Sequence, residues 1–221
     1  AMITVGDNDN TIIVVPGANG KVDRAYIDSI KSELEKFDMV VLQHEIPLET
    51  VHYVIEFCYE KGIKIVLNPA PAAAVPMEII DKVTYVTPNE HEAVLIFGDE
   101  LSTEELLRKY PEKLVITQGS RGVSTCLKDG QILNVPARKA QVVDTTGAGD
   151  TLNGAFSVQI AEGKAIEDAL AYANVAASLS TEKFGAQTGM PTAEEVETAL
   201  KILNGESVEK EIPVEMELIT K

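Results

Sequence analysis

Hydrophobic positions along the chain fall into two alternating rhythms. Short, mostly β-branched runs occur at residues 11–15, 39–42, 63–67, 83–86 and 114–117. Between them, segments 23–36, 49–61, 89–97 and 102–109 carry apolar residues at helical spacing. The run Met39-Val40-Val41-Leu42 is apolar throughout, and Ile63-Lys64-Ile65-Val66-Leu67 nearly so. Such runs suit strands covered on both faces. Strands that alternate with helices imply right-handed crossovers and a mostly parallel sheet. The expected fold is therefore α/β, a three-layer α/β/α sandwich.

The rhythm changes after Ser120-Arg121-Gly122. Runs 123–127 and 131–135 flank Lys128-Asp129-Gly130, and Asp-Gly between alternating apolar runs predicts a hairpin. That places an antiparallel hairpin on one edge of the sheet. From Gly149 onward the pattern is helical, over 151–162, 165–183 and 193–204. Thr192 with Glu195 three residues later forms a capping box for the last helix. Residues 1–204 read as one domain, and 205–221 as a charged tail with no periodicity beyond 212–219.

Composition narrows the function. Lys and Arg number 19 against 35 Asp and Glu, a formal net charge of −16. Nucleic acid and anionic membranes are therefore not expected partners, since phosphate backbones need clustered cations. No stretch approaches the roughly 18 apolar residues of a membrane span, and no basic-then-apolar leader is visible. Cys58 and Cys126 stand too far apart for a CxxC metal pair or a disulfide framework, which fits a reducing cytoplasm. His44, His52 and His91 share no ligand spacing.

The most informative stretch is Val142-Val143-Asp144-Thr145-Thr146-Gly147-Ala148-Gly149-Asp150. Valines end in a turn of small residues that opens a helix. Gly147 and Gly149 let backbone N–H groups approach a ligand, and the helix N-terminus adds unpaired donors and a favourable dipole. Asp150, in the first helical turn, is placed to take a proton from a nucleophile beside a bound anion. These parts suit phosphoryl transfer, which needs positioning and charge stabilisation. The same Asp also fits a plain helix cap.

Here the chain resembles the ribokinase, or PfkB, family of carbohydrate kinases. The signature is matched by Asp144-Thr145-Thr146-Gly147-Ala148-Gly149-Asp150-Thr151-Leu152-Asn153-Gly154-Ala155-Phe156. Further blocks follow the family's order: Pro16-Gly17-Ala18-Asn19, Gln43-His44-Glu45-Ile46-Pro47, Thr87-Pro88-Asn89-Glu90-His91-Glu92, Thr117-Gln118-Gly119-Ser120-Arg121-Gly122, and Gly185-Ala186-Gln187 with Pro191 beyond. The Gly-Ala-Asn and Gln-x-Glu-x-Pro blocks look most like the ribose-phosphorylating members.

The resemblance implies an ATP-dependent sugar kinase acting on the 5-hydroxyl of D-ribose. Fructose, adenosine or another nucleoside is the alternative acceptor, and a non-catalytic nucleotide-binding fragment is the alternative role. By similarity Asp150 is the catalytic base, and the backbone of Gly147, Ala148 and Gly149 is the anion hole. Asn89 faces ATP, and Glu92 acts on magnesium through water. Their x-x spacing puts both on one helix face, which also fits an N-cap with an acidic first turn. Thr117, Gly119, Ser120, Arg121 and Gly122 form a wall of the ATP site, and Asn174 lies near the adenine. Glu45, after a buried strand, contacts a sugar hydroxyl.

The resemblance also implies a potassium ion beside the anion hole. Its oxygens come from Asp144, Thr146, Ser180, Lys183, Gly185 and Gly189, a donor set that suits a hard cation. Gly189 stands where relatives often carry Ser. Family members carry a long segment before the block near Ile3, including a Gly-Gly motif that grips the sugar. This sequence has no Gly-Gly dipeptide. The chain is thus expected to lack the N-terminal strands and most of the lid, and to pair as a homodimer or with a chain that supplies them.

Overall fold

The computed structural model describes residues 2–6 and 9–208. The 212–219 run lies outside the described residues. Strands β1 (Met2–Gly6) and β2 (Asp9–Ile13) form an antiparallel hairpin as a sheet of their own. The 11–15 run was read as a strand of the sandwich. It belongs instead to this hairpin, and Val14 and Val15 lie beyond it, exposed. The Pro16-Gly17-Ala18-Asn19 block leads into a short 3-10 turn, Asn19–Lys21.

Helix α1 (Arg24–Leu34) starts where the Asp23 carboxylate accepts the Tyr26 N–H at 2.9 Å, satisfying a donor the helix cannot satisfy itself. Strand β3 (Met39–Leu42) leads to helix α2 (Leu48–Lys61), which stops at Gly62 in the left-handed region, φ 72°. Then come β4 (Lys64–Leu67), α3 (Met77–Lys82), β5 (Tyr85–Val86), α4 (Glu90–Phe97), α5 (Thr103–Lys109) and β6 (Val115–Thr117). The short helix α3 escaped the sequence reading, because six residues between two prolines and a strand show less than two turns of periodicity.

Strands β3, β4 and β5 pair in parallel, in the register Val40 with Ile65 and Leu67 with Val86. Parallel bridges from Val86 to Leu114 and from Asn89 to Thr117 carry the sheet on to β6. Beyond it, β6 pairs antiparallel with β7 (Val123–Cys126), and β7 with β8 (Ile132–Val135). The hairpin at the edge is as expected, and its first strand also reverses against β6.

The period-2 alternation of the strands divides the core. Ile65 and Leu67 face one side, where they pack with Val51, Val54 and Ile55 of α2, Ile79 and Ile80 of α3, and Leu106 and Leu107 of α5. Val66 and Val115 face the other side, against α6 (Ala148–Ala161) and α7 (Ile166–Ser180). Both faces are covered, as the unbroken apolar strands require, and the architecture is the α/β/α sandwich. Helix α8 (Ala193–Leu203) packs its Val196 and Ala199 on α7, and its Thr192–Glu195 capping box is formed.

Phe156 anchors α6 to the sheet. It is fully buried and meets the Tyr85 ring edge-on, with centroids 5.0 Å apart. Burial of a side chain that size contributes on the order of 3 kcal/mol. It thereby fixes the helix whose first turn carries Gly149 and Asp150. Helix α7 ends at Ser180, short of the expected Lys183. The Thr181 carbonyl there accepts N–H bonds from Val143 (2.8 Å) and Asp144 (3.2 Å), which draw the chain out of the helix.

Candidate active site

Helix α6 opens at Gly147, whose φ of 81° suits glycine, and a Cβ there would sit 3.2 Å from the Cα of Ala186. Gly149 faces open space, with no atom within 4 Å of where its Cβ would be. Of the proposed anion-hole donors, the Ala148 N–H already bonds the Thr145 carbonyl at 3.2 Å. Among the described residues, no acceptor meets the N–H groups of Gly149 and Asp150. The Gly147 N–H likewise meets no acceptor, so two of the three expected donors are free and Asp150 adds another. Asp150 is exposed beside them.

Of these residues Gly149 lines a cleft of ≈ 640 Å³. Thr117, Gly119, Ser120, Gly122, Ala148, Gly149 and Asn174 all line it, so one concavity gathers most of the expected nucleotide wall. It sits at the carboxyl end of β6, where parallel α/β sheets bind ligands. Arg121 does not line it. Its guanidinium turns to the carboxylate of Glu90 on α4.

The roof of the cleft escaped the sequence reading. Residues 136–143 run over it as a strap, and Ala137, Arg138, Lys139, Ala140 and Val142 line the space. Asn174 donates its Nδ2 to the carbonyls of Val135 (3.2 Å) and Pro136 (2.7 Å), which pins the start of the strap. Its amide nitrogen is therefore committed to protein. In the middle, Glu182 accepts from Arg138 Nη1 (2.9 Å) and from the Gln141 N–H (3.3 Å). Gly122 permits the approach, since a Cβ there would lie 2.0 Å from the Val135 carbonyl oxygen. Nothing in the sequence marks this strap, which has neither periodicity nor turn chemistry.

The Asn89–Glu92 pair forms a reciprocal capping box at the start of α4. Asn89 Oδ1 accepts the Glu92 N–H, and Glu92 Oε2 accepts the Asn89 N–H, both at 2.8 Å. One atom of each side chain is used for the cap, leaving Asn89 Nδ2 and Glu92 Oε1. Burial raises the Glu92 pKa, and the Asn89 N–H opposes that in part. A buried carboxylate with one oxygen left over fits magnesium, which keeps most of its waters and takes few carboxylates. The bridge from Asn89 to Thr117 sets this pair against the glycine-bearing turn after β6.

The expected cation cage also converges. Asp144 Oδ1 accepts the Thr146 N–H and Oδ2 the Gly185 N–H, each at 2.9 Å, so one carboxylate ties the anion-hole turn to the 185–189 loop. The contacts of Thr146 and then Gly185 hold the Asp144 carboxyl below its usual range. A Cβ on Gly189 would lie 2.5 Å from the Ser180 carbonyl oxygen and 2.9 Å from that of Gly185. The Gly185 carbonyl also accepts the Gly189 N–H at 2.8 Å, and the two carbonyls leave no room for a side chain at this position. The Lys183 side chain turns away to Glu195, 3.2 Å distant, and only its backbone remains for an ion.

Glu45 lies exposed past the end of β3, apart from the cleft lining. The neighbouring His44 is buried. Its N–H bonds the Ala70 carbonyl at 2.8 Å, Nδ1 lies 3.2 Å from the Pro71 carbonyl, and desolvation lowers its pKa.

The pfkB family carbohydrate kinase model matches residues 1–193. The chain is 51% identical over 200 residues to the ribokinase of Bacillus subtilis, a match that covers 90% of this chain and 68% of that one. The crystal structure of a Thermotoga maritima ribokinase superimposes with a TM-score of 0.79 at 35% identity, covering 90% of this chain and 68% of the other. The Arabidopsis thaliana ribokinase complexed with ribose and ATP does so at 0.75 and 30% identity, covering 88% and 66%. The chain belongs to the pfkB family of carbohydrate kinases. It spans about two thirds of the length of the curated relatives it matches.

Proposed function

We propose that this chain carries the ATP-handling and proton-accepting half of a ribokinase. In that reading it transfers the γ-phosphate of ATP to the 5-hydroxyl of D-ribose. The carrying observation is the unpaired N–H groups of Gly147, Gly149 and Asp150 where α6 opens, at a 640 Å³ cleft that Gly149 lines, with the Asp150 carboxylate in the same helical turn. The match to a relative solved with ribose and ATP supports the substrate pair.

The residues divide the work as follows. The strap and the turn 117–122 hold the adenosine end of ATP. The N–H groups of the α6 N-terminus receive the γ-phosphate oxygens, where the helix dipole favours negative charge. Asp150 takes the proton of the sugar 5-hydroxyl as its oxygen bonds to the γ-phosphorus. The β–γ bridging P–O bond breaks, and ADP leaves with the electron pair. Glu92 would hold magnesium, which would supply charge neutralisation on the phosphates. Asp144, Thr146, Ser180, Lys183, Gly185 and Gly189 would hold potassium, which would steady the anion-hole turn. Glu45 grips a sugar hydroxyl.

We further propose that residues 1–204 act as one kinase domain, and that the chain pairs with a second copy of itself or with another chain. Among the described residues no helix is long and apolar enough to cross a membrane. Cys58 and Cys126 are buried and unpaired, and burial pushes the Cys58 thiol up to about 11, which fits a cytoplasmic setting.

The test is ATP-to-ADP conversion with and without D-ribose, in potassium and magnesium, beside ATP binding by calorimetry. Ribose-dependent turnover supports the reading. Asp150→Ala should lower turnover by at least about 100-fold while ATP affinity changes little, because a base acts on the barrier rather than on nucleotide binding. An Asp150→Ala protein with full turnover removes Asp150 from the role.

A further inference from the structure

Asn153 lies one helical turn beyond Gly149, nearly fully buried at 2% exposure. Its Nδ2 donates to the Gly149 carbonyl at 2.9 Å, and its Oδ1 accepts the Thr87 hydroxyl at 2.6 Å. Thr87 is buried to the same degree and directly follows β5, with its N–H on the Leu67 carbonyl at 2.9 Å. Two residues on, Asn89 caps α4, and between them the Pro88 carbonyl accepts the Thr117 N–H at 2.9 Å. One amide thus joins the turn that offers free N–H groups to the segment that carries Asn89 and Glu92.

Packing alone does not ask for an amide there. Leu152 and Phe156 hold the same helix to the sheet with apolar side chains. A buried amide is costly unless its partners are placed for it, and here they are. What the polar pair adds is a fixed register between two turns on different elements, which an apolar contact leaves free to slide.

We infer that Asn153 and Thr87 are positioning residues that set the Gly149 turn against the Asn89–Glu92 turn, so that metal-bound nucleotide is gripped at both ends at once. This inference rests on the kinase reading and concerns residues that touch neither substrate nor metal. Outer partners of a metal site commonly change affinity by about 10-fold or more when lost.

The test is calorimetry of ATP binding with excess magnesium and, separately, with EDTA, alongside thermal unfolding. Thr87→Val keeps the shape and removes the hydroxyl. It should weaken magnesium-ATP about 10-fold while metal-free ATP changes little. Thr87→Val combined with Asn153→Leu removes both polar partners; it should regain thermal stability without regaining magnesium-ATP affinity. Thr87→Ser retains the hydroxyl and should bind like wild type. Wild-type affinity for magnesium-ATP in the double variant, or equal losses with and without magnesium, overturns the inference. Wild-type protein that binds no ATP in either buffer removes the kinase reading itself. Binding by wild type with unaltered variants removes only the positioning role.

Discussion

The α6–α7 end of the molecule and its N-terminal hairpin close on themselves to different degrees. At the first, Phe156, Leu152, Ala169 and Leu170 are buried against the sheet. The loops around them are tied by Asp144, Asn174 and Glu182 to backbone groups from distant parts of the chain. At the second, Ile13 at the end of β2 is exposed at 58%, Val14 and Val15 just beyond it at 63% and 79%, and among the described residues β3 pairs on one side only, with β4. The comparison teaches where the chain stores its order. The parts around the cleft are held by their own contacts, and the end of the hairpin carries apolar surface that the described residues leave uncovered.

The largest effect should come from the heart of the closed region. Phe156→Ala opens a cavity under α6 and should cost about 3–5 kcal/mol of stability. Val15→Ser, just beyond the hairpin, should stay within about 0.5 kcal/mol, as exposed positions do. Urea denaturation followed by circular dichroism reads both. A hairpin substitution that destabilises as much as the core one would erase the contrast.

Next is Gly122, where the strap passes over the nucleotide wall. Its φ is 94° and a Cβ would collide with the Val135 carbonyl. Gly122→Ala should cost about 1–3 kcal/mol in strain and weaken ATP binding, since the strap must lift. Gly119 has a positive φ as well, with open space where its Cβ would be. Gly119→Ala therefore pays only the backbone penalty, and the two variants compared by calorimetry separate crowding from conformation.

Much of this arrangement was legible in the residues, for identifiable reasons. Parallel strands such as Met39–Leu42 declare themselves because both faces are buried, and Thr192 with Glu195 declares a helix start because the cap needs those groups at that spacing. The Asp144–Asp150 turn was legible because glycines before a helix have few other uses. The strap over 136–143 was not, because long-range bonds from Asn174, Glu182 and Thr181 fix it and leave no local pattern. Asn174 illustrates the limit. Its place at the cleft came from resemblance, but the commitment of its amide to Val135 and Pro136 is visible only in three dimensions. Asn153 stands within the signature with no role legible in the sequence, since its partner Thr87 is 66 residues away.

A smaller effect is expected at the Arg138–Glu182 pair. Both side chains are about a quarter exposed, 25% and 28%, so solvent screens them and the pair itself is worth about 1 kcal/mol at most. Glu182→Gln keeps the acceptor for the Gln141 N–H and removes the charge. It should raise the KM for ATP a few-fold, roughly what 1 kcal/mol permits, and leave kcat unchanged. A fall in kcat instead would mean that the strap reaches the reacting end of the nucleotide, and the division between roof and reaction turn would need redrawing.

The smallest effect probes the other side of the sheet's carboxyl end, at His44. Desolvation lowers its folded-state pKa below the ordinary histidine value, with the Pro71 carbonyl opposing and His52 adding to the shift. For a base the sign follows from proton counting: in the window between the lowered folded pKa and 6.5, the unfolded chain binds more protons than the folded one. Stability is therefore complete above that window and declines as pH falls through it. His44→Leu removes the titrating ring and should flatten the decline between about pH 7 and pH 5, as read from urea midpoints at each pH. Its stability at neutral pH also reports on what the ring does, because the Nδ1 contact to Pro71 is lost while the unpartnered, buried Nε2 is removed as well. If the variant loses stability at every pH without a change of slope, the ring acts as a strut for the 70–71 turn rather than as a proton-sensitive group. The acid sensitivity would then belong to carboxylates such as Asp144, whose depressed pKa makes it lose its hold on Thr146 and Gly185 only at lower pH.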